Sequence, residues 1–121
     1  MRIVFVYGTL MANQRNHHVL LGSKFLGNGF VYGKLYQFPL RNYPIFRPNR
    51  STPNMVIGEL YEVSEQTLAS LDRREVLYKR KAYRATVDGH IVDCDLYEGL
   101  KYLPFFLAKN ISSKRWDGTA K

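Results

Sequence analysis

Cysteine is nearly absent from this sequence of 121 residues, in which Cys94 is the single example. One thiol cannot form an internal disulfide, so the composition favours a reducing compartment. Long apolar runs are lacking too, because no segment approaches the roughly 20 residues that a membrane-spanning helix needs. The segment between Arg2 and Gly8 is too short for the apolar region of a secretory signal. We therefore expect a cytoplasmic protein without a membrane partner.

Acidic residues are scarce as well: 10 Asp and Glu face 18 Lys and Arg, which gives a net charge of +8. Such a charge attracts anions, from nucleic acids to small carboxylates. The basic residues are spread along the chain, and the densest group, residues 73–84, is interleaved with Tyr78 and Tyr83. The spread favours an ordinary solvated surface, and association with nucleic acid stays a minority alternative.

Motifs for nucleotides and metals are missing. The sequence has no G-x-x-x-x-G-K-[ST] and no G-x-G-x-x-G pattern, which excludes the common phosphate and dinucleotide loops. His17 and His18 are adjacent and cannot share one helix face, and Cys94 has no second thiol to complete a zinc site. We therefore expect no metal site and no cofactor.

What is present describes one globular unit. Apolar residues make up 45% of the chain and aromatic residues 14%, a composition that suits a small β-rich domain filled by rings. We assign residues 1–121 to a single domain, with a core of about 1–100 and a C-terminal tail of 101–121. The apolar run 103–107 is expected to pack across the fold, and the polar end with Trp116 to fray.

The first ten residues organise the rest. Ile3 to Tyr7 is typical of a buried strand, and Gly8 stops it, since glycine adopts backbone angles closed to other residues. Backbone N–H groups that leave a strand in such a turn can form an anion-binding nest. Our hypothesis is that Tyr7, Gly8, Thr9 and Leu10 hold a carboxylate, and that a side chain at position 8 would fill the ligand's space without disturbing the fold. The alternative is an ordinary strand end.

Periodicity and turn signals predict the other elements. A short helix is expected over residues 15–21, with Gly22 ending it and with His18, Val19 and Leu21 partly inward. Strands are predicted at 29–36, 43–46 and 56–63, and the prolines between 39 and 53 exclude a central strand there. A helix should start at the N-cap Ser64 and end between 73 and 76. Its inner side would carry Val63, Leu68, Leu71 and Val76.

The pair Asp88-Gly89 predicts a two-residue hairpin turn between strands 80–88 and 90–98. This turn sets the register: Val87 lies opposite His90, Ala85 opposite Val92, Tyr83 opposite Cys94 and Arg84 opposite Asp93. One face is mostly apolar, and the other carries an opposite-charge pair. The pairing turns Cys94 inward, so we interpret it as a core thiol.

Among the acidic residues, Glu75 lacks an evident structural role. Glu59 and Glu62 alternate with apolar residues on a strand, and Glu65 falls in the first turn of the helix. Other acidic residues also have adequate places, Asp88 in a turn and Asp93 and Asp95 on one strand face. Glu75 instead follows the predicted helix end, just before Tyr78. From composition alone, it is interpreted as a solvated acid that pairs with Arg73, Arg74 or Lys79.

At this point the sequence resembles the γ-glutamylcyclotransferase-like family, which includes the γ-glutamylamine cyclotransferases and the AIG2-like proteins. The resemblance covers residues 3 to about 99, and its specificity lies in the order of the motifs. The motifs are Phe5-Val-Tyr-Gly-Thr-Leu10, Asn16-His17, Phe25-Leu-Gly27, Tyr43-Pro44, Val56-x-Gly58-Glu-Leu-Tyr61, Leu71-Asp72-x-x-Glu75 and Tyr78-x-Arg80. The sequence departs from many members in having Val76 after the glutamate, where they have glycine, and in a short spacer before Tyr78.

The resemblance implies an α+β fold, a small mixed β-barrel with short flanking helices. It implies cyclisation of a γ-glutamyl amine or peptide to 5-oxoproline, with release of a free amine and without a cofactor. Tyr7, Gly8, Thr9 and Leu10 would bind this small-molecule substrate through the backbone, and Glu75 would be the acid/base, with a pKa raised by burial. The Pro-rich loop would form the wall of the pocket opposite Glu75, and the sequence therefore does not identify the leaving amine. The alternative is a non-catalytic carboxylate-binding module of the same fold.

Overall fold

Eight β-strands, one α-helix and two short 3₁₀ helices are found in the part of the chain that the computed structural model describes, residues 1–39, 41–48, 54–101, 103–111 and 115–116. The strands are β1 (Arg2–Val6), β2 (Lys24–Tyr32), β3 (Lys34–Gln37), β4 (Ile45–Arg47), β5 (Met55–Val63), β6 (Tyr78–Val87), β7 (His90–Gly99) and β8 (Lys109–Ile111). The α-helix is α1 (Glu65–Arg74), and the 3₁₀ helices are His17–Leu20 and Phe105–Leu107.

Five of the strands close into a barrel. The order β1-β5-β2-β6-β7 is completed by a parallel contact between β1 and β7, at Val4 and Asp95. The β1–β5, β5–β2, β2–β6 and β6–β7 pairs are antiparallel. The barrel is therefore mixed, which confirms the fold class expected from the sequence.

The remaining strands extend the sheet beyond β7 in the order β4-β3-β8. The predicted strand 29–36 is in fact two, divided at Gly33, where a Cβ atom would collide with the ring of Phe46. The expectation that prolines exclude a central strand is wrong, because β4 lies between β3 and β7. This strand begins after Pro44 and ends before Pro48, so neither proline has to donate a ladder hydrogen bond.

The hairpin of β6 and β7 has the predicted register throughout, including Tyr83 opposite Cys94 and Arg84 opposite Asp93. Asp88 and Gly89 both have positive φ angles, 49° and 79°, as a type I′ turn requires. Cys94 is buried as a free thiol, and burial raises its pKa to about 12.

Helix α1 begins as predicted. The Ser64 side chain accepts a hydrogen bond of 3.1 Å from the N–H of Thr67, and Glu65 lies in the first turn, where negative charge is favoured. Leu68 and Leu71 are buried, but the expectation for Val76 is wrong, since it lies past the helix end and is 76% exposed.

The first predicted helix is shorter than expected. It is a single 3₁₀ segment, His17–Leu20, in which Leu20 is the buried residue. The expectation that His18 and Leu21 point inward is wrong, because both are exposed. A 3₁₀ helix has a tighter repeat than an α-helix, and its inward positions therefore differ.

Two hydrophobic clusters fill the structure. One takes side chains from every barrel strand and includes Trp116, which is 2% exposed. The other lies on the opposite face of β1 and contains Val4 and Val6 together with Leu68 and Leu71 of α1. The tail thus contributes β8 to the sheet and Trp116 to the core. Fraying was wrongly expected for Trp116, and the predicted polar end at 117–121 lies outside the described residues.

Candidate active site

A cavity of about 380 Å³ opens where β1 runs into the following turn. Its walls include all five residues predicted as site residues, Tyr7, Gly8, Thr9, Leu10 and Glu75. The other lining residues come from the end of β1, the segment before the first 3₁₀ helix, the loop before β4, the stretch from the end of α1 to the start of β6, and β7. They are Phe5, Val6, Arg15, Asn16, Tyr43, Pro44, Arg74, Val76, Leu77, Tyr78 and Tyr97.

The turn after β1 is held through its carbonyl groups. The Gly8 carbonyl accepts a hydrogen bond of 3.1 Å from Met11 N–H, and the Thr9 carbonyl accepts one of 2.9 Å from Asn16 N–H. Within the described chain, the N–H groups of Gly8, Thr9 and Leu10 donate none of the hydrogen bonds between protein groups. The turn thus leaves three backbone N–H groups without a protein acceptor in the described chain, and such groups are what an anion nest uses.

Asn16 and His17 fix this turn. They are one of the motifs that carry the family resemblance, and the sequence alone assigned them no role. The Asn16 side-chain amide donates to Thr9 Oγ1 at 3.0 Å, and His17 Nδ1 lies 2.9 Å from the Leu10 carbonyl oxygen. Both polar contacts reach back seven residues along the chain. The motif is therefore a brace that holds the shape of the turn.

Gly8 is required for a different reason from the one the sequence suggested. Its φ angle is not among the positive values in the chain, but a Cβ atom at this position would lie 2.8 Å from Pro44 Cγ. The expectation that a side chain at position 8 leaves the fold undisturbed is therefore wrong. A side chain there would displace the loop before β4 as well as occupy the cavity.

The Tyr7 side chain is part of the core. Its hydroxyl donates to the Tyr97 carbonyl at 2.7 Å and accepts from Phe46 N–H at 3.0 Å. Burial raises the Tyr7 pKa well above its ordinary value, and the phenol stays neutral. Tyr7 can therefore meet a ligand only with its backbone.

Glu75 caps the C-terminus of α1. Its N–H donates to the Leu71 carbonyl at 3.1 Å, and its own carbonyl accepts from Tyr78 N–H at 3.2 Å. Among the described residues, its carboxylate forms no hydrogen bond and no salt bridge, including with Arg73, Arg74 or Lys79. Burial raises the Glu75 pKa, and the charge of Arg74 partly opposes this effect. A half-buried carboxyl group at a cavity, with no hydrogen-bond or salt-bridge partner among the described residues, is a candidate proton-transfer group.

The end of α1, on which Glu75 depends, is anchored to the barrel by Asp72. Its Oδ1 accepts hydrogen bonds from the Tyr97 hydroxyl at 2.6 Å and from Arg80 Nε at 3.0 Å. Burial alone would raise the Asp72 pKa, but these two partners bring it below the ordinary value. The carboxylate therefore stays charged and ties α1 to β6 and β7, three residues before Glu75.

Part of the cavity wall comes from the Pro-rich loop, through Tyr43 and Pro44. The Tyr78 hydroxyl donates to the Pro44 carbonyl at 2.8 Å, and the rings of Tyr43 and Tyr78 lie 6.5 Å apart. Burial raises the Tyr78 pKa far above its usual range. This wall is neutral and aromatic, and the cationic side chains of Arg15 and Arg74 lie elsewhere in the lining.

Two absences concern the described ranges only. Among those residues, no group of three or more His, Cys, Asp or Glu side chains could hold a metal ion. None of the helices there has the length and apolar character needed to cross a bilayer.

Comparisons with known proteins agree with the fold and the resemblance. The model of the family described as gamma-glutamyl cyclotransferase, AIG2-like, matches residues 4–118. A gamma-glutamylaminecyclotransferase of Rattus norvegicus is 34% identical over 125 residues, covering 86% of this chain and 82% of the relative. The crystal structure of an AIG2-like protein from Mus musculus has a TM-score of 0.86 and 30% identity, covering 99% of this chain and 90% of that one.

A second solved structure, YkqA from Bacillus subtilis, has a TM-score of 0.79 and 27% identity, covering 95% of this chain and 39% of that one. The family model spans nearly the whole sequence, from the first strand to the tail. The resemblance carried by the motifs is thereby confirmed, and the chain belongs to the AIG2-like γ-glutamyl cyclotransferase family.

Proposed function

We propose that the protein is a cofactor-free γ-glutamylcyclotransferase, which converts a γ-glutamyl amine or peptide to 5-oxoproline and a free amine. One observation carries the proposal: a single cavity is lined both by the Tyr7–Leu10 turn and by Glu75. The first offers backbone donors for an anion, and the second is an unpaired carboxyl group whose pKa is raised by burial.

Substrate binding is assigned to the backbone of Gly8, Thr9 and Leu10. The α-carboxylate of the γ-glutamyl group would accept hydrogen bonds from these N–H groups, which find no acceptor in the described chain. Hydrogen bonds to a charged acceptor are stronger than those between neutral groups. The net charge of +8 and the nearby Arg15 and Arg74 would also draw an anionic substrate toward the cavity.

Proton transfer is assigned to Glu75. Its carboxylate takes a proton from the α-ammonium of the substrate, and the resulting amine attacks the γ-carbonyl carbon of the same molecule. A new C–N bond closes the five-membered ring, and the bond to the leaving nitrogen breaks as Glu75 gives the proton to that nitrogen. The ring nitrogen then loses its second proton to the regenerated Glu75 carboxylate, which releases it to the departing amine or to water, so that the products are the neutral lactam and the free amine. A raised pKa suits both steps, because an acid/base works best with a pKa near the working pH.

Orientation of the substrate's amine toward its own γ-carbonyl supplies the rest of the rate acceleration. Nucleophile and carbonyl belong to one molecule, so the enzyme mainly has to hold a conformation in which they meet. The turn would fix the α-carboxylate, and the neutral wall of Tyr43 and Tyr78 would face the rest of the substrate. A cytoplasmic location is part of the proposal, because the single cysteine is a buried free thiol.

The test is release of 5-oxoproline from a panel of γ-glutamyl amines and γ-glutamyl peptides, with the Glu75→Gln variant measured beside the parent. We expect turnover of at least one compound by the parent and its near loss in the variant. Binding of 5-oxoproline without turnover of any compound would contradict the enzyme assignment and favour a carboxylate-binding module. Failure to bind 5-oxoproline would contradict the site itself.

A further inference from the structure

The turn that lines the cavity is held from behind by a buried carboxylate. Glu59 on β5 is 4% exposed, and it lies opposite Val6, where β1 ends and the turn begins. Its Oε1 accepts a hydrogen bond of 2.8 Å from Ala12 N–H and another of 2.9 Å from the Tyr61 hydroxyl. Glu59 therefore fixes the far end of the segment that starts at Gly8, a role that its place on an alternating strand did not predict.

A buried carboxylate needs a partner, because an unpaired charge away from water is strongly unfavourable. The C-terminal segment supplies that partner: Arg115 Nη2 donates to Glu59 Oε2 at 2.8 Å. Without the guanidinium, the Glu59 carboxylate would lose this charged partner and would move toward water, and that movement would alter its hydrogen bond with Ala12 N–H. The placement of the turn thus depends on a residue far along the sequence.

Trp116, the neighbour of Arg115, supports the same turn by packing. Its side chain belongs to the core cluster that contains Tyr7, and its Cε3 atom is 4.0 Å from the place of a Cβ atom at Gly8. The C-terminal residues therefore support the turn in two ways. Arg115 acts through Glu59, which binds Ala12 N–H, and the Trp116 ring packs near Gly8. Neither Arg115 nor Trp116 lines the cavity.

We propose that Arg115 is a positioning residue for substrate binding, which acts through Glu59 to hold the turn in the shape that binds the substrate carboxylate. The proposal rests on the proposed function, because it takes the turn as the carboxylate site. It predicts an effect mainly on KM and on the Kd of 5-oxoproline, since Glu75 and its support by Asp72 lie on other elements.

The ion pair of Arg2 and Asp95 supplies a control at the other end of β1. Its length is 2.7 Å, with side chains 46% and 7% exposed, against 2.8 Å, 41% and 5% for Arg115 and Glu59. Arg2 is at the opposite end of β1 from the turn. Arg2→Gln thus removes an ion pair of similar length and burial without touching the segment after β1, while Asp95 keeps a second ion pair with Arg80 Nη1 at 3.3 Å.

The experiment compares kcat, KM and the Kd of 5-oxoproline for the parent, Arg115→Gln and Arg2→Gln. We expect Arg115→Gln to raise KM and Kd about tenfold, less than the ~10²-fold that a misplacement of about 1 Å can cost, with a smaller change in kcat. Arg2→Gln should leave all three near the parent. A KM for Arg115→Gln within about twofold of the parent would overturn the proposal, and so would equal increases in both variants. The expected tenfold change corresponds to about 1.4 kcal/mol, and a twofold change is close to the error of the measurement.

Two further variants separate positioning from folding. Arg115→Lys keeps the positive charge and should recover part of the affinity for 5-oxoproline. If Arg115→Gln does not fold, Arg115→Lys is compared with the parent and Arg2→Gln in its place. Adding Glu59→Gln to Arg115→Gln removes the buried charge but keeps an acceptor for Ala12 N–H. The double variant should therefore bind better than the product of the single effects predicts, and strict additivity would count against a relay through Glu59.

The exchange rate of the Ala12 amide hydrogen tests the positioning without any substrate. It should rise in Arg115→Gln and stay unchanged in Arg2→Gln, and equal rates in the parent and Arg115→Gln would overturn the proposal. If the parent neither turns over γ-glutamyl compounds nor binds 5-oxoproline, the proposed function has failed. The Ala12 rate then still decides whether Arg115 holds the turn.

Discussion

Gly8 and Pro44 pack so closely that a Cβ atom on Gly8 would lie 2.8 Å from Cγ and 2.9 Å from Cδ of the proline. Real Cβ atoms do not approach other atoms so closely, so the turn and the loop before β4 fit each other only because position 8 has no side chain. The Pro44 carbonyl also accepts the hydrogen bond from Tyr78. One proline thus contacts both the turn and Tyr78 of the aromatic wall.

This contact predicts that Gly8→Ala lowers the free energy of unfolding by about 1–3 kcal/mol, the usual cost of overpacking. It should also weaken binding of 5-oxoproline, because the turn or the loop has to move. Thermal unfolding and calorimetry would measure the two effects. Pro44→Ala removes Cγ and Cδ and supplies the control: the double variant should lose less stability than the sum of the single variants. Additive losses would show that the two residues do not collide.

The β6–β7 turn predicts a pure backbone effect. A Cβ atom at Gly89 would meet nothing within 4 Å, and the φ angle there is +79°. Gly89→Val should therefore lower the free energy of unfolding by about 1–2 kcal/mol, the cost of a left-handed angle for a residue with a Cβ atom, and leave KM unchanged. Gly89→Asn is the control and should lose less, because asparagine tolerates this region. Equal melting temperatures for the parent and Gly89→Val would contradict the turn assignment.

The elements that could be predicted from the sequence depend on neighbours along the chain. The hairpin register follows from Asp88 and Gly89, and the start of α1 follows from Ser64, because a two-residue turn and an N-cap are local geometries. The closure of the barrel through the parallel β1–β7 contact is non-local and came from the family resemblance. The first short helix shows where periodicity fails as a guide to burial. An α-helical repeat predicted that Leu21 points partly inward, but the tighter 3₁₀ turn buries Leu20 instead.

The candidate site divides in the same way. The turn and Glu75 were marked by motifs, and the structure places both on one cavity. The contacts that support them could not be predicted, because each joins residues distant in sequence: Asp72 with Tyr97, and Glu59 with Arg115. A strand glutamate that alternates with apolar residues looks the same whether it faces water or a buried arginine. Only the three-dimensional arrangement distinguishes these two cases.

The pKa of Glu75 leads to a prediction about Arg74. Burial raises that pKa, and the charge of Arg74 partly lowers it. Arg74→Gln removes the lowering influence, so the rise of kcat/KM with pH, which reports deprotonation of the base in the free enzyme, should move to higher pH. Arg73→Gln, an exposed neighbour outside the cavity lining, should leave the profile in place. A profile for Arg74→Gln that coincides with the parent's would remove Glu75 as the titrating group.

The enzyme assignment depends most on Glu75 itself. Gln keeps nearly the same shape but cannot exchange a proton at neutral pH, so Glu75→Gln should lower kcat by about 10²–10⁴-fold, the usual contribution of a positioned acid/base. The Kd of 5-oxoproline should stay close to the parent's, because the turn at Gly8 to Leu10 binds the carboxylate separately. Initial rates of 5-oxoproline release and calorimetry measure both quantities. Full activity in the variant would exclude Glu75 from the mechanism.

The same variant tests the environment of Glu75 through stability. The folded-state pKa is raised above the ordinary value of 4.5, so the folded state binds more protons than the unfolded state as pH rises from about 4 through the folded pKa. Folding stability then decreases with pH over that window, because stability falls wherever the folded state holds the extra proton. Gln does not titrate, and Glu75→Gln should match the parent near pH 4 and melt at a higher temperature at neutral pH. A solvated acid paired with Arg73, Arg74 or Lys79 would give the opposite sign, a variant that is less stable at neutral pH, and thermal melts at the two pH values distinguish them.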